Sequence, residues 1–252
     1  MLAPFPEQLV RHNAKIKVYP DGSRKVTVCT RPIFKDSGWE EIKEEEETET
    51  VAKPKDMTKK EVRSDNMKRA KEKAFDIARL NDFEYFTTWT LNKDLIDRYD
   101  ADEIKKKLKI FLNNGVKRKN LLYLVLPEYH KDGAIHMHAL IRGDYRYLDS
   151  GLKTKSGQPI YNMPDWGWGF STAIPIYGDK EAVSRYITKY ITKDCQKIFG
   201  SFYYAGGKGL VRTPVIQYDD MDFNVIQAET FPVPVAKMGF KYFWDSSDDV
   251  QG

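Results

Sequence analysis

Apolar and polar residues alternate with a period of two in some stretches of the chain and recur about every 3.6 residues in others. The change of period separates strands from helices. Residues 14 to 31 alternate around Pro20, Asp21 and Gly22, which predicts a β-hairpin turning at those residues. From Ser64 to Leu80 the apolar positions Met67, Ala70, Ala74, Ile77 and Ala78 have helical spacing, with basic residues on the outer face. Residues 84 to 92, EYFTTWTLN, are aromatic and β-branched and predict a strand. Ile104, Leu108, Phe111 and Leu112 form the next helical stripe, with Asp100 and Glu103 as an N-terminal capping pair and Asn113, Asn114 and Gly115 as its end. The segment from Asn120 to Gly143 predicts strand, turn and strand, turning at Lys131, Asp132 and Gly133. Gly, Pro and Ser in residues 150 to 169 predict a long loop, FSTAIPI a strand, and the stretch from Asp179 to Asp194 a helix. Val183, Ile187 and Ile191 are the core-facing stripe of that last helix.

Composition narrows the class. A chain of 252 residues with 41% hydrophobic content can bury a core as one large domain, or as one core domain with appendages. The longest apolar runs, such as LLYLVL from Leu121, fall far short of the roughly 20 residues that span a bilayer, and the expectation is an intracellular protein without a membrane partner. Cys29 and Cys195 lie outside any CxxC spacing, which argues against both a disulfide framework and a zinc finger. Net charge is only +4 but unevenly spread: residues 40 to 50 are acidic, while Lys59, Lys60, Arg63, Lys68, Arg69, Lys71 and Lys73 follow closely. With 15 Tyr and 5 Trp, and with Trp166 and Trp168 in an aromatic stretch from 161 to 170, the chain has stacking and basic groups suited to single-stranded nucleic acid. Lys68, Arg69, Lys71, Trp166 and Trp168 are the candidate DNA contacts.

Two constellations carry chemistry. His136 and His138 flank Met137 in the second strand of the 120–143 hairpin. Residues i and i+2 of a strand share a face, so both imidazoles project together, with Met137 and Leu140 expected on the other side. If the turn lies at 131 to 133, Glu128 stands opposite His136, and cross-strand neighbours on one face are about 5 Å apart. Two imidazoles and one carboxylate leave positions open for water and phosphate oxygens, which suits Mg²⁺ or Mn²⁺ better than a closed zinc site. The second constellation is YITKYITK, residues 186 to 193. Tyr186 and Tyr190 stand one helical turn apart, and Lys189 and Lys193 each follow a tyrosine by three.

FTTWTLN, EYHKDGAIHMHALI and YITKYITKD, in that order and at comparable spacing, resemble the three motifs of the HUH endonucleases that initiate rolling-circle replication. The resemblance is greatest to the phage and plasmid Rep branch, including proteins similar to filamentous-phage gene II protein, and covers roughly residues 66 to 215. It implies an α+β fold, a central antiparallel sheet flanked by helices, which agrees with the strands read above. The N-terminal hairpin is then an extension to it. The domain reading is a hairpin and acidic linker over 1–56, the endonuclease over 57–215 and a C-terminal extension over 216–252. By the same resemblance His136, His138 and Glu128 match the metal ligands, Tyr190 with Lys193 matches the nucleophile and its companion lysine, and Tyr186 stands where two-tyrosine members carry a second nucleophile. Because YITK is doubled, the order of the two tyrosines stays open, with Tyr190 taken as the first to attack.

A tyrosine hydroxyl with a pKa of about 10 is a weak nucleophile, so it needs a polarised phosphate and a nearby cation that favours the phenolate. The implied reaction nicks single-stranded origin DNA, leaves a 5′-phosphotyrosine link and a free 3′-OH, and later rejoins the ends without ATP. No GxxxxGK[ST] phosphate loop occurs, so a host helicase and a host DNA polymerase are the expected partners, in the cytoplasm of a bacterial host cell. The alternatives are a relaxase or single-strand transposase of the same superfamily, or a non-catalytic binder of single-stranded nucleic acid. Neither origin sequence nor oligomeric state is legible.

Overall fold

The computed structural model describes residues 11–34, 64–191, 197–233 and 238–245. Lys193, the acidic run at 40–50 and Lys59, Lys60 and Arg63 lie outside the described residues. The first elements are β1 (Arg11–Val18), β2 (Arg24–Phe34), α1 (Ser64–Leu80), β3 (Tyr85–Trp89) and α2 (Ala101–Arg118). Next come β4 (Leu122–Tyr129), β5 (Ile135–Arg142), β6 (Leu148–Lys153), β7 (Pro159–Asn162) and β8 (Ser171–Pro175). The last are α3 (Lys180–Thr188), β9 (Tyr204–Gly206), β10 (Val215–Asp219), β11 (Thr230–Val233) and β12 (Met238–Asp245). Two antiparallel sheets and three helices among the described residues make this an α+β protein.

The chain divides into two compact units, residues 61–213 and the combined segments 1–60 and 214–252. In the discontinuous unit the β1–β2 hairpin turns at Pro20-Asp21-Gly22, where Gly22 takes φ 81° and its amide donates to the Tyr19 carbonyl at 3.0 Å. That hairpin is the middle of a five-stranded sheet in the order β10-β1-β2-β12-β11, three of whose strands come from beyond residue 213. Hydrophobic periodicity could not reveal this partnership, because a strand's pattern says which face is buried and not which distant strand it pairs with.

The continuous unit carries a seven-stranded sheet in the order β6-β7-β8-β3-β5-β4-β9. Leu122, Leu124, Leu126 and Leu140 share one of its faces with Ala74, Ile77 and Ala78 of α1 and with Ile187 of α3. Val125, Ile135, Met137, Ala139 and Ile141 share the other with Ile104, Leu108, Phe111 and Leu112 of α2. Leu140 therefore sits on the histidine face and not with Met137, as a period of two requires of residues 136, 138 and 140.

Other expectations shift for local reasons. The helix predicted to stop at Gly115 continues to Arg118, because a side chain there would strike Tyr145 and come within 2.6 Å of Leu121; glycine permits that packing and forgoes about 1 kcal/mol of helix propensity. Asp100 caps the helix as expected, accepting from the Asp102 and Glu103 amides at 3.0 Å. The 150–169 stretch is not all loop, since β6 and β7 pair across it; β6 is largely exposed, so it shows no apolar alternation. Asp179 caps α3, accepting from the Glu181 and Ala182 amides, but the helix ends at Thr188. Beyond it Lys189, Tyr190 and Ile191 donate three residues back, a tighter winding than α.

Candidate active site

The β4–β5 register sets Glu128 directly opposite His136 and Leu126 opposite His138, so the hairpin brings the carboxylate and both imidazoles to one face. His138 Nε2 and Glu128 Oε2 are 2.9 Å apart. His136 instead stacks on His130, with ring centroids 4.8 Å apart, and His130 is held by Asp132, which also pairs with Arg98 at 3.5 Å. Burial holds both His136 and His138 below the ordinary imidazole range, although the Glu128 carboxylate opposes it in each case. Neutral rings are therefore favoured.

The neighbouring strand β3 and the residue that follows it supply groups that sequence reading did not single out. Thr88 pairs with His138 in register and its hydroxyl lies 3.2 Å from His138 Nδ1, while Thr90 Oγ1 lies 3.5 Å from His136 Nδ1. Each Nδ1 thus faces a hydroxyl, and for His138 this leaves Nε2 turned to Glu128. Their parity was the available clue, since threonines two apart share a face as the histidines do.

Across this face stand the tyrosines. The Tyr190 ring lies flat on His138, centroids 3.7 Å apart and 16° from parallel. Its hydroxyl donates to that of Tyr186 at 3.2 Å. Phe86 lies against His138 and both tyrosines, with its ring edge-on to Tyr186 at 5.3 Å. Lys189 Nζ sits 5.6 Å over the Tyr186 ring, so the lysine three residues on attends the tyrosine before it. Burial, and then the hydrogen bond to Tyr186, raise the Tyr190 hydroxyl above the ordinary phenol range. As arranged, this phenol is protonated.

Among the described residues no three His, Cys, Asp or Glu side chains are gathered closely enough to enclose a metal ion. The donors fit a divalent cation in kind: two imidazoles whose Nδ1 atoms face hydroxyls, and one carboxylate.

The remaining expected contacts separate. Lys68, Arg69 and Lys71 are exposed along α1. Trp166 is only 3% exposed, stacked on Trp89 at 5.1 Å, and its indole donates to the Thr90 carbonyl, so it has no face for a base. Trp168 is half-buried beside it and lines a cleft of about 360 Å³ with Phe111, Tyr145 and Arg118. No helix among the described residues is long and apolar enough to cross a membrane.

Residues 84–195 match a family of replication-associated proteins of the ORF2 and gene II protein type, a span under half the chain. The Phasyl DNA replicon protein arp of Escherichia coli is 23% identical over 110 residues, covering 37% of this chain and 39% of that protein. No solved structure matches. The stretch that carries Glu128, both histidines and both tyrosines is thus the stretch similar to replication-associated proteins.

Proposed function

We propose that this chain initiates rolling-circle replication by nicking single-stranded origin DNA with a tyrosine and later rejoining the ends. The observation that carries the reading is the convergence of Tyr190 and Tyr186, hydroxyls 3.2 Å apart, on His138 and its partner Glu128. Similarity to a replicon protein and to replication-associated proteins over the same residues supports it.

Glu128, His136 and His138 would hold Mg²⁺ or Mn²⁺, which when bound polarises the scissile phosphate and offsets charge in the transition state. Thr88 and Thr90 fix the ring orientations that present Nε2. His138 stacking holds the Tyr190 ring in place, so that its oxygen approaches phosphorus with little motion to arrest. In the step itself the Tyr190 Oη–P bond forms and the P–O3′ bond breaks. The phenolic proton passes through Tyr186 Oη, to which Tyr190 donates, and the departing 3′ oxygen ends protonated. Lys189, over the Tyr186 ring, favours negative charge when Tyr186 takes its turn. Lys193 would serve Tyr190 by the same spacing. The phosphotyrosine bond keeps the energy of the broken phosphodiester, so a strand 3′-OH can reverse it.

The test uses a labelled single strand from the parent replicon. A denaturation-resistant protein–DNA adduct should form with Mg²⁺ or Mn²⁺, vanish in chelator and vanish in the Tyr186→Phe, Tyr190→Phe double variant. An adduct that persists in that double variant, or binding with no adduct at all, defeats the reading.

A further inference from the structure

The five-stranded sheet has two faces of different chemistry. Ala14, Ile16, Val26 and Val28 point to one, where Phe223, Ile226 and Phe243 cover them. Lys241 joins that side, its ammonium donating to the Phe223 and Ile226 carbonyls at 3.0 Å. Register assigns the opposite side. Tyr218 opposes Lys15, Lys15 opposes Thr27, and Thr27 opposes Tyr242. The adjacent row runs Ile216, Lys17, Lys25 and Trp244. Phe240 stands between Cys29 and Phe231 in a third row. The Phe231 ring lies 22° from parallel to Phe240 and to Tyr242, at 5.3 and 5.2 Å, and Lys25 Nζ is 5.5 Å over the Tyr242 ring.

An antiparallel sheet commonly packs one face and leaves the other polar. This unit has no helix among its described residues, yet its second face sets the lysines of β1 and β2 between rings of β10 and β12, and Tyr242 is 43% exposed. Rings standing on a sheet among cations suit single-stranded nucleic acid, since every base has a π-face and every phosphate a charge. We propose that this face is a second binding surface, for the single-stranded DNA beside the nick. The identity of that DNA rests on the nicking function proposed above; the surface itself rests on the register and the rings.

Full-length protein is titrated with a fluorescent oligo-dT of about 30 nucleotides, longer than the roughly 4–16 that one small β-fold covers. Tyr242→Ala should weaken binding about tenfold, a typical loss for one base stack, and Tyr242→Phe should restore it because the ring is what stacks. Lys15→Glu, on another strand, should also weaken binding and reduce its salt dependence, which separates loss of the surface from misfolding of the alanine variant. A 4-thiothymidine version of the strand should crosslink to the peptide holding Tyr242. Unchanged affinity in Tyr242→Ala and Lys15→Glu, with no crosslink to residues 238–245, overturns the proposal. So does a dimer that Tyr242→Ala converts to monomer at unchanged DNA affinity, which would assign the face to a second copy of the chain. Adduct formation is scored in parallel on the unsubstituted protein. Binding at this face without an adduct sinks the nicking reading alone, and an adduct without any effect of these variants sinks the surface alone.

Discussion

Thr88 shows how much of a site can rest on one hydroxyl. Its oxygen sits 3.2 Å from His138 Nδ1, and in the proposed metal site losing such an outer partner of a ligating histidine would cost about 10–100-fold in metal affinity or activity. Thr88→Val keeps shape and β-branching, so nicking at limiting Mn²⁺ should fall by roughly that factor, and added Mn²⁺ should restore it if the loss is one of metal affinity; titrating adduct yield against metal concentration reads both. The tyrosines separate in the same way. Tyr190→Phe keeps the ring on His138 but removes the hydroxyl, and should abolish most of the first adduct with little change in melting temperature. Tyr186→Phe should still nick but leave replicon multimers unresolved, as a gel of replication products would show. At this scale the sequence was largely legible where spacing decides geometry: HMH and a three-residue turn suffice to set Glu128 against His136. The threonines passed as strand formers, because apart from their spacing nothing in a β-branched residue announces a hydrogen bond to another strand.

Elements were legible where burial is one-sided and illegible where it is not. The helix from Ser64 to Leu80 shows its stripe plainly, whereas the exposed β6 strand offers no alternation to read. The end of α3 is a subtler case. Its apolar period runs on to the buried Ile191, but the backbone tightens after Thr188, and that tightening coincides with Tyr190 lying flat on His138. Orientation of this helix is therefore part of the site, and Asp179 secures its start. Asp179→Ala should cost about 1 kcal/mol of stability through loss of the carboxylate oxygen that accepts from two amides. Because α3 carries Tyr186 and leads into Tyr190, adduct formation should decline more steeply with temperature than in the unsubstituted protein, a comparison of thermal melting with adduct yield over the same range.

The whole molecule interleaves its two units along the chain. Residues 61–213 are continuous, while β2 finds β12 only across that entire insertion. Truncation after Thr213 should leave β4 and β5 protected from amide hydrogen exchange and strip protection from β1 and β2, since an isolated hairpin is marginal in water. Uniform loss of protection would show the units to be one cooperative body. On the ribosome, where N-terminal segments emerge first at roughly 5–20 residues per second, the order of completion is inverted relative to the order of synthesis. The earliest strands wait roughly 10–40 s for their last partner, while the continuous unit between them is already whole. A nascent chain would thus bring both tyrosines beside His138 before its five-stranded sheet closes, and β2 would spend that interval with an open edge exposed to neighbouring chains.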